Sequence, residues 1–284
     1  MFEFLKRRNK SPKDELTKLL GDYTLPSFPG VALELMGKIR DPEVTSSQIG
    51  EVLAMDPGLS IKVLQMANSA TFAPRNEVEN VEQAVTMIGL SALETIVLAG
   101  AAGETMPKES APGYAFDRFW HMSCVRGVVA RGLAGELCPA QTNQCFLAGF
   151  LQDLAIPFLA DSRAETYGPI LERWHSEPGT SLAEMEREAF GWDHGEVATW
   201  ILSEWNLPEA LASAIGGHHH PDEDEYDCPA PVGLVAHLRE EDAPSGEASL
   251  IADATGRHGI SEEVITGILE NSIEQASGLA RLMH

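Results

Sequence analysis

The sequence lacks any run of 18 or more apolar residues. Its longest apolar-looking stretch, Ile96 to Gly103, is short and contains small side chains. No segment is therefore expected to span a membrane. Its first residues do not read as a secretory signal, because Lys6, Arg7, Arg8 and Lys10 are followed by no apolar core. Without a targeting segment, the expected compartment is the cytoplasm. Cysteine is scarce: Cys124, Cys138, Cys145 and Cys228 form no C-x-x-C pair and fit neither a zinc finger nor a disulfide framework. Reduced, mostly buried thiols are the expectation. Strand signals are missing too, since no run alternates β-branched with polar residues. Positive charge is short, with 20 Lys and Arg against 43 Asp and Glu and a net charge of −23. Such a field repels a phosphate backbone, which argues against general nucleic-acid binding. The basic residues that gather at the start, Lys6 to Lys13, read as a solvated tail or as a contact for an acidic partner or membrane surface.

The dominant pattern is helical. In Val31 to Ile39, apolar residues at 31, 32, 35, 36 and 39 share one face. Thr45, Ser46 or Ser47 caps a second helix, and Asp56-Pro57 opens a third. A helix from about Asn80 runs through Ile88 to Gly89, and Ser91-Ala-Leu-Glu94 reads as a capping box for the next. Phe116 to Leu137 forms a long helix. Asn143 to Leu159 is expected as another, ended or kinked by Pro157. Ser181-Leu-Ala-Glu184 is a second capping box, and helices follow at about 193–205, 208–218, 229–241 and 261–282. The fold class is all-α, a compact array of helices and not a simple four-helix bundle. The expected organisation is a basic tail (1–12), an N-terminal helical lobe (13–106), a linker (107–114), a second helical lobe (115–241) and a C-terminal helical extension (242–284).

All nine histidines lie in the second half. The candidates for chemistry are His121, Gln152-Asp153, His194, His218-His219-His220 and His237. Asp153 sits within Phe146-Leu-Ala-Gly-Phe-Leu-Gln-Asp153-Leu, where an acid is costly unless paired or bound to a cation. The histidine triplet ends a helix, where the dipole favours imidazolium while a neutral ring can ligate a metal. A mixed imidazole and carboxylate shell suits Fe, Mn, Mg or Zn. Taken singly, each histidine is more often a hydrogen-bonded core residue.

Several spaced motifs resemble the HDOD domain family, helical output domains related to the HD phosphohydrolases and found in bacterial signalling proteins. They are Leu25-Pro-Ser-Phe-Pro29, Asp56-Pro57-Gly-Leu, Lys62 to Phe72 with its Asn68-Ser69, Ala84 to Leu90, and Trp205-Asn-Leu-Pro208. The resemblance covers roughly residues 16–240. It implies a multi-helix HD-like array and a metal shell of a first His, a His-Asp pair, further histidines and a late Asp. His121 matches the first His, Asp153 the Asp of the pair, and His194, His218 and His219 the additional histidines. Gln152 stands where the paired His belongs, and His237 where the late Asp belongs. Gln brings no imidazole lone pair and His no negative charge, so one carboxylate is left to offset a divalent cation.

Three readings follow. The first is a non-catalytic signalling module acting through contacts with a protein partner, with the basic tail and the Val264-Ile265-Ile268-Leu269-Ile273 stripe as docking elements. The second is a metal-dependent phosphohydrolase of a nucleotide or cyclic dinucleotide, held by His121, Asp153, His194, His218, His219 and His237. The third is a sensor that binds an anionic metabolite without turnover. Asn68 is expected to close its helix, or else to lock the first lobe to the second.

Overall fold

The structure is a computed structural model and describes residues 12–109, 111–177, 179–220, 226–239 and 243–283. The basic residues Lys6, Arg7, Arg8 and Lys10 lie outside them. Among the described residues there is no β-strand. The helices are α1 (Pro12–Leu20), α2 (Gly30–Ile39), α3 (Ser46–Leu53), α4 (Pro57–Ala67) and α5 (Val81–Thr105), then α6 (Phe116–Leu137), α7 (Thr142–Leu151) and α8 (Ala155–Ser162). After these come α9 (Ala164–Ser176), α10 (Leu182–Phe190), α11 (His194–Glu204), α12 (Glu209–Gly216), α13 (Ala230–Val235), α14 (Ala243–His258) and α15 (Glu262–Met283). The chain is all-α, as the periodicity implies.

Local chemistry sets the helix starts. Thr45 is the residue that caps α3, its hydroxyl accepting the Gln48 N–H while Gln48 Oε1 accepts the Thr45 N–H at 2.9 Å. Asp56 caps α4 by accepting the Leu59 N–H at 3.0 Å, with Pro57 in the first turn. Gly89, at φ 82° and ψ 164°, is non-helical and stops the first part of α5 as expected, a second helical part following it. The Ser91 hydroxyl beyond it accepts from Asn143 at 3.2 Å.

Two expectations are corrected. The helix expected over 143–159 is two helices, α7 and α8, broken at residues 152–154 and not at Pro157. Pro157 occupies the third position of α8, where no backbone N–H is needed. The helix expected over 229–241 stops at Val235 and continues as tight turns, His237 N–H to Leu234 O and Leu238 N–H to Val235 O. Helices α9 and α14 arise where no stripe was evident in the sequence. Asn68 does close α4, but its amide also clamps the following loop within the same half. Nδ2 donates to Leu64 O and Val78 O, and Oδ1 accepts the Val78 N–H at 2.7 Å.

A single apolar cluster runs from Leu16 to Leu279. Helix α5 lies between α4 and α7, α1 rests on α11, and α15 lies along α6. Ile265 and Leu269 of α15 are core residues, while Val264 and Ile273 remain exposed. Two segments, 81–105 and 139–162, are long and apolar enough by composition to cross a membrane, but their apolar windows are 56% and 89% buried inside this fold. The second is also interrupted at 152–154.

Candidate functional site

The site is built on a close crossing of α6 and α7. A Cβ on Gly149 would lie 2.9 Å from the Ala130 Cβ, and one on Gly127 3.0 Å from the Phe150 Cβ. Glycine at both positions lets the backbones approach, and the approach brings Arg126 of α6 against Asp153, in the turn that ends α7. Arg126 Nη1 lies 2.6 Å from Asp153 Oδ2, and both side chains are buried. The rest of the guanidinium donates to Leu238 O at 2.8 and 3.2 Å.

The other oxygen of Asp153 faces imidazoles. His194 Nε2 is 3.5 Å and His218 Nε2 3.6 Å from Oδ1. Each ring is oriented from behind. Glu186 of α10, wholly buried, accepts the His194 backbone N–H at 2.8 Å and approaches its Nδ1 at 2.7 Å. The Tyr167 hydroxyl of α9 donates to the other Glu186 oxygen. His218 Nδ1 donates to Ile215 O at 2.6 Å. Its Nε2, left facing inward, has no hydrogen-bond partner. His219 Nε2 lies 2.9 Å from His194 Nε2, an approach that needs one shared proton. Asp193 caps α11 through the Glu196 N–H and pairs with Arg187 at 2.8 Å and His220 at 3.8 Å.

Burial acts against charge on His194, but Glu186 and Asp153 outweigh it and hold its pKa well above the usual imidazole value. Burial, reinforced by His194, pushes His218 down to about 4. His219 is likewise held well below the ordinary range by burial and its two histidine neighbours. Burial would raise Asp153, yet Arg126, with His194 and His218, keeps it well below the ordinary carboxylate range. The resulting state is an imidazolium at His194 sharing its proton with a neutral His219, beside a carboxylate neutralised by a guanidinium.

The structure therefore brings together Asp153, His194, His218 and His219. It places His121 elsewhere, with Nε2 3.4 Å from the Ser277 hydroxyl of α15. His121 and Arg126 are five residues apart, roughly 140° around the helix, so Arg126 is the residue of α6 that faces Asp153. His237 stands at the rim, its Nε2 3.5 Å from Asp253 Oδ2 of α14. Gln152 is buried and its Oε1 has no partner. Arg126, Glu186, Tyr167 and Asp253 were not singled out from the sequence. The signal for Arg126 was present, a charge set among Cys124, Val125, Gly127 and Val128.

The ring nitrogens of His194, His218 and His219 lie within 4.8 Å of one another. They would fit one borderline cation such as Zn, which accepts three imidazoles and polarises a bound oxygen. They do not fit a carboxylate-rich shell for Mg or Mn, because the one inward carboxylate is already paired with Arg126. A cavity of about 500 Å³ opens in front of the cluster, lined by His194, His218, His219, His237 and one row of α14. A second, of about 270 Å³, lies on the other side of Asp153 and has a mixed lining, Tyr114, Phe119, Met122, Ile156 and Leu171 beside Arg118 and His175.

Known structures share this architecture. An HDOD domain protein of unknown function from Geobacter sulfurreducens superposes with a TM-score of 0.73 at 22% identity, covering 95% of this chain and 98% of that one. A protein from Shewanella amazonensis SB2B, provisionally named a phosphohydrolase, gives 0.71 at 21% over 95% and 98%. One from Marinobacter aquaeolei VT8, provisionally named a signal transduction protein, gives 0.69 at 18% over 96% and 65%. An uncharacterized protein of Treponema pallidum (strain Nichols) is 23% identical over 219 residues, 75% of this chain but only 42% of that protein's length. The HDOD domain model matches residues 25–221. With the helical array, the Asn68 clamp and the imidazole cluster in place, the chain belongs to the HDOD domain family.

Proposed function

We propose that this chain is a regulatory module that works in the cytoplasm through contacts with a signalling partner protein and does not hydrolyse phosphate esters. The observation that carries this reading is the Arg126–Asp153 pair at 2.6 Å. A hydrolytic centre of this type needs carboxylate charge to hold a divalent cation and to activate water. Here a fixed guanidinium occupies that electrostatic role, and a second cation beside it meets repulsion instead of neutralisation. The name of the Marinobacter relative agrees with a signalling role.

A second reading, a metal-dependent phosphohydrolase, draws on the three converging imidazoles and on the name of the Shewanella relative. Metal content and turnover separate the two. Protein purified without a histidine tag is expected to carry less than about 0.1 equivalent of transition metal. It should not cleave bis(4-nitrophenyl) phosphate above background with added Mn or Zn. Stoichiometric metal together with turnover abolished by Asp153→Asn would sink the regulatory reading.

A further inference from the structure

Two thiols meet where α6 hands over to α7. Cys138 closes α6 and Cys145 is the fourth residue of α7, with the short turn Pro139–Gln141 between them. Their Sγ atoms lie 3.8 Å apart, and both are free thiols. That is van der Waals contact. A sulfur–sulfur bond needs about 2.05 Å, so closing it moves each sulfur by about 0.9 Å. Cys138 has already left helical geometry, at φ −150° and ψ 69°, so its side chain turns without disturbing α6.

The two sulfurs differ in access. Cys138 is half-buried, and Cys145 is wholly buried. A cysteine that serves only as a small core side chain is buried, whereas Cys138 keeps one face open to solvent. Burial, with Cys138 and then Cys228 beside it, pushes the Cys145 thiol far above its usual range. A small reagent therefore meets Cys138 first, and Cys145 stays a protonated thiol until a sulfur is presented to it. The other two cysteines are placed differently. Cys124 is buried in the middle of α6, and Cys228 turns its Sγ to Pro229 O at 3.7 Å.

We propose that Cys138 and Cys145 form a reversible dithiol–disulfide site whose oxidant is a low-molecular-weight disulfide such as oxidised glutathione. Cys138, as thiolate, attacks one sulfur of the small disulfide. That S–S bond breaks, and one small thiolate leaves and takes up the Cys138 proton. Cys145 then gives up its proton and attacks the Cys138 sulfur, forming the bond between the two cysteines and expelling the second small thiol with that proton. Two protein thiols are oxidised as one small disulfide is reduced to two thiols. The closed loop, 138–145, ties the end of α6 to the first turn of α7, the helices whose crossing sets Arg126 against Asp153. The pair lines neither cavity of the histidine cluster, and the proposal stands independently of the regulatory reading.

Equilibration of the full chain in mixtures of reduced and oxidised glutathione, followed by alkylation and peptide mapping, tests it. Two of the four cysteines should escape alkylation. Both belong to the tryptic peptide 132–163, which should appear lighter by two hydrogens and regain them with excess reductant. The equilibrium constant with glutathione should be at least about tenfold higher for the native chain than in urea, where only the flexible loop holds the pair together. Cys145→Ala should halt at the mixed disulfide on Cys138, one glutathione heavier, while Cys228→Ala should leave the bridge as it is. A bridge between Cys145 and Cys228, an equilibrium constant no higher in the native chain than in urea, or a native chain that keeps four free thiols in oxidised glutathione would each overturn the proposal.

Discussion

Arg126 and Asp153 meet at 2.6 Å inside the protein, one from the middle of α6 and one from the turn after α7. Neither has an alternative partner of opposite charge at that distance among the described residues. Arg126→Gln should therefore leave the buried carboxylate with only the His194 imidazolium, 3.5 Å away, to offset it and cost about 3–5 kcal/mol of stability. Chemical denaturation measures this. Added Zn should restore part of the loss, because removing the guanidinium leaves the carboxylate and three imidazoles open to a cation. A variant as stable as the parent, or one indifferent to Zn, would refute the electrostatic substitution.

Glu186 sets the state of His194. In Glu186→Gln one of the two carboxylates that favour the imidazolium is gone, so the pKa of His194 should fall. Nitrogen-15 NMR of the histidine ring reads this directly. Stability should fall by about 2–3 kcal/mol, and Tyr167→Phe should cost about 1 kcal/mol through the same carboxylate.

The cluster makes the protein sensitive to mild acid, and the sign follows from His218. Its folded pKa is depressed to about 4 from 6.5, so between those values the unfolded chain binds the proton and the folded chain does not. Stability contributed by its neutral form is full above pH 6.5 and is lost as pH falls towards 4, on the order of 2–3 kcal/mol. His194 does not oppose this, since with a raised folded pKa its contribution is constant below 6.5 and fades only at higher pH. Asp153, strongly depressed, gives way only in stronger acid. Unfolding free energies at pH 7 and pH 4.5 should differ less in His218→Asn than in the parent.

Asn68→Ala removes three hydrogen bonds, one within the end of α4 and two that tie Val78 of the loop before α5 to it. A loss of about 2–3 kcal/mol is expected. Limited proteolysis should cut faster within residues 69–79, while the His194 ring signals stay in place.

The helical architecture was legible because apolar spacing and caps such as Asp56 are local properties. The imidazole cluster was legible in part. His194, His218 and His219 converge because each stands at a helix end, a position that sequence can mark. His121 did not join them, because a match in chain order says nothing about the face a residue presents. Glu186 was hidden in Glu184-Met-Glu-Arg-Glu188, a run that reads as solvated surface until α9 and α11 close over it. Arg126 carried the same signal as Asp153, a charge in an apolar helix, and the two charges explain one another.

The ties that cross between the two ends of the chain have a practical meaning. Trp205 Nε1 donates to Pro26 O at 2.9 Å, and Arg163 donates to Leu19 O. Helix α1, ahead of the shared family segment, packs against α11, the helix that begins at His194. A fragment cut at Leu25 would strip that cover and lay bare the apolar side of α11. The smallest unit that folds soundly is thus larger than the segment by which its family is known, and a trimmed version used for assays would report on a damaged protein.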